Sequence, residues 1–342
     1  MMAGANGRFR WAVLGPGFVA TRAVMPAIAR SRNGAVYAVA SRDRARAEAA
    51  ARPFDAPRAY GSYFEALDDP SVDGIYLALP NHLHAEWTMR AARAGKHVLC
   101  EKPLATRAGE AEAVVAACRE QGVLLMEAVM YRFHPRSRRI EAIIGAGQIG
   151  EVRSIQAAFT FPLRSTTTYR LNEEEGGGAL LDVGSYGVNA ARWIAGREPL
   201  RVSAFQRANG IDWRTDGLLA FSAGLTAHLV AAFDAVEHQS LTILGADGEI
   251  SLRHAFTAWR QDETTLHVRT ASGDSVLTFP PADPYQLMVE QFVAAARGEE
   301  PPLLPPEDGL KSVRVLDALR RAAASGQSVA VEREVERGPR GD

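Results

Sequence analysis

Two cysteines, Cys100 and Cys118, are all the thiol chemistry that the 342 residues hold. Their spacing matches neither a disulfide framework nor a set of metal ligands, so a reducing cytoplasm is the expected compartment. Long apolar runs are missing as well. No stretch approaches the roughly 20 residues that a bilayer span requires, and MMAGANGRFRWAVLG lacks the pattern of a leader peptide. The expectation is a protein that is neither exported nor inserted in a membrane. A charge excess is also lacking: 39 Lys and Arg face 40 Asp and Glu, which removes the global field that would collect nucleic acid or an anionic surface. Any charged ligand must be caught locally. There is no internal repeat, low-complexity tract or flexible linker, and 47% hydrophobic with 23% charged residues is the balance of a folded globular chain. At this length two domains are expected.

From Arg8 to about Met126 the aliphatic runs FRWAVL, AVYAVA, GIYLAL, HVLC and VLLM alternate with Ala-rich stretches that start at Asp43, His84 and Thr106. Continuous apolar strands alternating with helices are what a parallel sheet covered on both faces demands. Residues 1–128 therefore read as a doubly wound Rossmann domain. After about Tyr131 a helical stretch from Pro135 to Ile144 gives way to VRSIQAAFTF, LRVSAFQ, DGLLAFS, LTAHLVAAF, LTILGA, TLHVRT and DSVLTF, several joined by short Gly- or Asp-containing turns. That pattern predicts a second α/β domain over 129–342 with a largely antiparallel sheet, closed by helices over Tyr285–Ala296 and Glu307–Ala324.

GPGFVA, with Gly15, Gly17, Phe18 and Val19, follows the first strand and leads into a helical stretch. This is the G-x-G-x-x-A dinucleotide fingerprint, whose glycines allow a tight turn and a close approach of a pyrophosphate to a helix N-terminus. The second strand runs into Ser41, Arg42, Asp43 and Arg46. An acidic residue there would hold a ribose 2′-hydroxyl, whereas Ser41, Arg42 and Arg46 suit a 2′-phosphate and Asp43 sits where a helix N-cap is expected. NADP(H) is favoured over NAD.

The run GIYLAL continues into LALPNHLHAEW and the next run into HVLCEKPLA. Ends of neighbouring parallel strands share a crevice, so Leu79, Pro80, Asn81, His84, Glu101 and Lys102 should converge on the cofactor. Pro103 holds the backbone of Lys102 extended, which aims its side chain. Read alone, E-K-P is also compatible with a surface ion pair before a turn. His82 and His84 suggest no third ligand, and no metal is expected.

Taken in order, GPGFVA, LPNHLHAEW, AGKHVLCEKPLA, MEAVMYRFHP, IGEVRSI and GGGALLDVGSYGVNAARW resemble the glucose-fructose oxidoreductase, inositol dehydrogenase and rhizopine-catabolism (Gfo/Idh/MocA) family. The resemblance implies an N-terminal Rossmann domain, a C-terminal domain with an open, mostly antiparallel sheet, and a nicotinamide cofactor between them. It further implies that Lys102 is the catalytic lysine, that Arg132 and Tyr285 lie near the cofactor, and that the C-terminal sheet pairs subunits as a homodimer or homotetramer. Within the family the chain looks most like the trans-dihydrodiol and NADP-dependent xylose dehydrogenase branch and the related nucleotide-sugar ketoreductases. Tyr186 stands where many members carry His, which argues against an inositol dehydrogenase.

If Ala179 to Ile194 is one helix, Asp182, Tyr186, Asn189 and Trp193 share a face. Oxidising a secondary alcohol needs a group to take the hydroxyl proton, and an ammonium nearby would lower the pKa of a tyrosine toward that task. Tyr186 is thus expected as the acid/base and Lys102 as its tuner, with the reverse assignment open, and Asp182 as the group that orients Lys102 or binds a substrate hydroxyl. Arg164, Tyr169, Arg170 and Asn189 are expected on the substrate side. The activity so read is a hydride transfer between NADP(H) and a sugar-like alcohol or ketone. A ketoreductase acting on a nucleotide-linked deoxysugar and a non-catalytic NADP-binding regulator are the alternatives.

Overall fold

The computed structural model describes residues 7–257 and 264–332, so the outermost residues of both expected domains lie outside it. The first sheet is built from β1 (Phe9–Leu14), β2 (Gly34–Ala40), β3 (Arg58–Tyr60), β4 (Gly74–Leu77), β5 (His97–Cys100) and β6 (Leu125–Glu127). All pairings are parallel in the order β3-β2-β1-β4-β5-β6, and the order reverses beside β1. A ligand crevice opens at the carboxyl ends of strands flanking such a reversal. The short strand β3 was absent from the sequence reading because Arg58–Tyr60 has no aliphatic run to announce it.

The intervening helices are α1 (Met25–Arg30), α2 (Arg44–Ala51), α3 (Tyr63–Asp68), α4 (His84–Arg93) and α5 (Ala108–Glu120), followed by α6 (Pro135–Gly145) after the first sheet. Asp43 accepts from the Arg46 amide at 3.3 Å and so caps α2, as its position suggested.

The second sheet comprises β7 (Val152–Thr160), β8 (Arg201–Asn209), β9 (Ile211–Ala220), β10 (Thr226–Ala232), β11 (His238–Gly245), β12 (Glu249–Arg253), β13 (Thr264–Thr270), β14 (Gly273–Phe279) and β15 (Val329–Ala330). Among the described strands every pairing is antiparallel except that of β7 with β10. Inward residues such as Ile155, Leu229, Leu241, Ile243 and Ile250 are fully or almost fully buried, and they alternate with polar or exposed residues. Among the described residues three further helices follow: α7 (Ser185–Ala195), α8 (Pro284–Ala296) and α9 (Pro306–Ser325).

The last two helices tie the halves together. On α8, Phe292 packs 4.9 Å from the Trp11 ring of β1, Asp283 pairs with Arg30, and Glu290 pairs with Arg32 at 3.2 Å. Helix α9 lies against α5 of the first half and β8 of the second. The crevice is therefore walled by both sheets and held by helices that run back across the junction.

Candidate active site

A cleft of about 930 Å³ runs from the Gly15 loop to Asp182, within the size range of small-molecule and cofactor sites. Its first end is made by local sequence. Gly15 has φ +85°, and a Cβ there would stand 2.7 Å from Ala78 O. A side chain is thus excluded both by conformation and by the close approach of the chain beyond β4. A Cβ on Gly17 would meet nothing within 4 Å, so the loop presents open backbone to the cleft. Phe18, Val19, Ser41, Arg42 and Arg46 line this end, as does Tyr63, which forms a side-chain hydrogen bond with Arg42. The Asp43 carboxylate is engaged by the start of α2, leaving two guanidinium side chains and the Ser41 hydroxyl around the place of a ribose 2′-substituent. A nicotinamide dinucleotide with a 2′-phosphate fits this donor set.

Leu79, Pro80, Asn81 and His84 line the middle of the cleft. Two of them also hold the surrounding chain together. Both ring nitrogens of His84 face carbonyl oxygens, Nδ1 at 2.7 Å from Pro103 O and Nε2 at 2.8 Å from Leu79 O. No ring nitrogen is left for a ligand. The Asn81 side-chain amide donates to Gly176 O at 2.8 Å, and the His82 amide donates to Glu175 O at 3.2 Å. These bonds fasten the segment between β7 and α7 onto the first half, as a strap over the cleft.

The far end is assembled from distant parts of the chain. Lys102 Nζ donates to Asp182 O at 2.5 Å and to Asp182 Oδ1 at 3.1 Å. From the strap, Arg170 Nε donates to Asp182 Oδ2 at 2.6 Å. Burial alone would raise the Asp182 carboxyl, but the Lys102 and Arg170 cations hold it down at about 2. The Lys102 ammonium also stands over the Tyr186 ring, 4.8 Å from its centroid. Glu101 accepts the Tyr76 hydroxyl at 2.6 Å, and burial pushes its carboxyl up.

The stretch around Asp182 departs from the expected single α-helix. Leu180–Gly184 forms a wide π-turn that leads into α7, and the Leu180 amide is capped from afar by Asp212 Oδ2 at 2.6 Å. Such turns occur often at functional sites. A π-turn uses more residues per revolution than an α-helix, so later residues are set back around the axis. Asp182 still lines the cleft, Tyr186 lies beneath Lys102 and behind the lining residues, and Asn189 is carried further away. Asn189 accepts the Tyr131 hydroxyl at 2.6 Å and donates to Asp308 Oδ2 at 3.0 Å. It is a buried packing residue rather than a substrate ligand.

Three further expectations change. Arg132 does not line the cleft; it is stacked on Trp193 at 4.4 Å from the ring centroid and paired with Glu141. Arg164 is exposed, and its neighbours Thr167, Thr168, Tyr169 and Arg170 line the cleft in its place. Tyr285 is tucked at the start of α8, where it acts electrostatically on Tyr186, Tyr76 and Glu101 without lining the cleft. Lys102 was expected to draw the Tyr186 phenol toward ionisation. Burial, reinforced by Tyr285, Glu101 and Asp182, raises it instead and outweighs the ammonium over the ring; the hydroxyl itself points to Met130 Sδ at 3.9 Å. The reading also missed Tyr63, Thr167, Thr168 and Glu175. Only Glu175, beside the glycines of NEEEGGG, carried a local signal.

Residues 9–129 match the family described as oxidoreductase family, NAD-binding Rossmann fold (GFO_IDH_MocA), and residues 137–251 match the GFO/IDH/MocA C-terminal domain. The chain belongs to the GFO/IDH/MocA oxidoreductase family. Among its relatives is a D-xylose 1-dehydrogenase (NADP(+)) from Haloferax volcanii, 38% identical over 94% of this chain and 99% of that protein. A 3-ketoreductase from Actinomadura kijaniata, solved with NADP and TDP-benzene, superposes with a TM-score of 0.87 at 33% identity, covering 92% of this chain and 98% of that one. An aldose-aldose oxidoreductase from Caulobacter crescentus, solved with glycerol, gives 0.88 at 30% identity over 94% and 99% of the two chains. This GFO/IDH/MocA protein thus shares its two-part fold with enzymes of sugar oxidation and reduction.

Proposed function

We propose that this protein is an NADP(H)-dependent oxidoreductase that interconverts an alcohol and a carbonyl on a free sugar or sugar-like diol. The observation that carries the reading is the pairing of Lys102 with Tyr186. The hydroxyl of Tyr186 has as its hydrogen-bond partner among the described residues a thioether, a weak acceptor. It therefore has no strong partner to give up before it engages a substrate oxygen. When bound, NADP(H) supplies or takes the hydride; Gly15, Gly17, Ser41, Arg42 and Arg46 would hold it.

In this mechanism Lys102 spends two N–H groups on Asp182 and offers the third to the substrate oxygen. Tyr186, kept neutral by burial, gives its phenolic proton to a carbonyl oxygen on reduction and is left as the phenolate; in the oxidative direction the phenolate form takes the hydroxyl proton and returns to the phenol. An ammonium over the ring face favours the electron-rich phenolate at the moment the proton leaves. Asp182 holds Lys102 and Arg170 in place.

The charge at this end favours a free sugar over a nucleotide-linked one. Among the described residues lining the cleft the cations are Arg42, Arg46, Lys102 and Arg170, and the last two both pair with Asp182. With Glu175 also on the lining, this end offers no cation in excess for a diphosphate. Subunit pairing through the C-terminal sheet, a cytoplasmic location and a domain boundary near Ala128 belong to the same reading. Following NADPH absorbance with D-xylose, vicinal diols and a TDP-linked ketosugar tests it. Turnover of the free sugar or diol is expected, turnover of the nucleotide sugar alone would replace the reading with the ketoreductase, and tight NADPH binding with no turnover would leave a regulator.

A further inference from the structure

The segment that carries Lys102 is anchored by several groups on the side away from the reaction end. Pro103 O lies 2.7 Å from the His84 ring, and Thr106 donates through its amide and its hydroxyl to Glu110 Oε2. Between them, the Leu104 amide donates to Glu127 Oε1 at 2.7 Å. Glu127 is 5% exposed, lies at the end of β6 and does not line the cleft. It belongs to MEAVMYRFHP, a motif that the mechanism above leaves unused.

The surroundings of this carboxylate are mixed in charge. Asp308 faces it from α9, Arg192 from α7, and Lys102 from the anchored segment itself. Asp308 is paired with Arg192 at 3.1 Å and receives the Asn189 amide, so neither group forms a direct ion pair with Glu127 in the described structure. Burial and Asp308 push the Glu127 carboxyl up to about 7, opposed by the Leu104 N–H, Arg192 and Lys102. A carboxylate kept here is unfavourable for folding at neutral pH, and an apolar residue of similar volume would avoid that cost. Its one hydrogen bond points to the reason.

We propose that Glu127 is a positioning residue for the reaction: its carboxylate fixes the Leu104 amide and, through the two intervening residues, the direction of the Lys102 ammonium. The inference rests on the role given to Lys102 above. The ionised form accepts the stronger hydrogen bond, so the reaction end is well ordered above neutrality and loosens as Glu127 takes up a proton.

The test uses E127Q, which keeps an acceptor but cannot ionise, and E127A, which has none. In D-xylose oxidation with NADP+, wild-type kcat should fall as the pH drops through about 7. E127Q should lose that limb while keeping kcat at alkaline pH within about threefold. E127A should lower kcat by about tenfold or more with the KM for NADP+ within about twofold. In the NADP+ complex without sugar, the Leu104 amide and Lys102 Cε resonances should titrate together in the wild type and stay still in E127Q. A wild-type profile unchanged by E127Q, or resonances that do not titrate, would overturn the proposal. If no sugar is turned over by the wild type, the functional reading fails on its own, and the resonances, read without substrate, still decide the role of Glu127.

Discussion

The two ends of the cleft are built on opposite principles. At the cofactor end, Gly15, Gly17, Phe18 and Val19 come from one turn and Ser41, Arg42 and Arg46 from another, each directly after a strand of the first sheet. At the reaction end, Lys102 follows β5, Arg170 comes from the strap and Asp182 from the π-turn, so two cations far apart in the chain share one buried carboxylate. A locally encoded end binds, and a tertiary one orients. Damage to the second should leave the first almost intact, and that asymmetry yields graded predictions.

The largest effect is expected from Y186F. It removes the hydroxyl proposed to transfer the proton and should lower kcat by about 10²-fold or more while NADPH affinity, read by fluorescence titration, changes by less than about threefold. Unchanged turnover would take Tyr186 out of the mechanism. D182A comes next, because it strands two cations that are now paired inside the protein; a loss of roughly 3–5 kcal/mol of stability is expected in denaturant melts. A loss below about 1 kcal/mol would mean that the triad is a surface-like contact.

R42A bears on the other end. It should weaken NADP+ by about tenfold or more and leave NAD+ nearly unchanged, since only NADP+ carries the phosphate that the guanidinium pairs with. Equal losses for both cofactors would refute the 2′-phosphate assignment. The smallest effects are in pH dependence. The Asp182 carboxyl is held at about 2, below its ordinary 3.8, so its contribution to stability is fully present above about pH 4 and is lost as the pH falls through about 2. Glu127 works in the opposite sense. Its carboxyl is raised from 4.5 to about 7, so the folded state binds the extra proton between those values and stability declines as the pH rises through them. E127Q should therefore raise Tm more at pH 8 than at pH 5, and the reverse order would contradict the raised value.

The same asymmetry explains how much the sequence disclosed. GPGFVA and the Ser41–Arg46 stretch are contiguous, so their residue types could be read directly and lie where the motifs imply. Lys102 and Asp182 were legible as members of motifs, and their contact forms where the end of β5 meets the π-turn before α7. Asn189 was misplaced because a helical repeat was extended through a stretch that holds a π-turn, and nothing local announces the Asp212 cap that starts it. Arg132 was misplaced because its partners, Trp193 and Glu141, come from two other helices. The sign of the Tyr186 shift was missed because a nearby ammonium is not enough: burial and the surrounding Tyr285, Glu101 and Asp182 outweigh it. Thr167 and Thr168 reach the cleft only because the strap is fastened to Asn81 and His82, which no single stretch reveals.

The central claim is that Lys102 serves the reaction and not the binding of the cofactor. K102M keeps the length of the side chain without its charge, and two readings on one sample decide the matter: calorimetric titration with NADP+ and NADPH absorbance with D-xylose. The account predicts NADP+ affinity within about threefold of the wild type and turnover lowered by about 10²-fold or more. Turnover near the wild-type rate, or a loss of NADP+ binding that by itself explains the lost turnover, would contradict it.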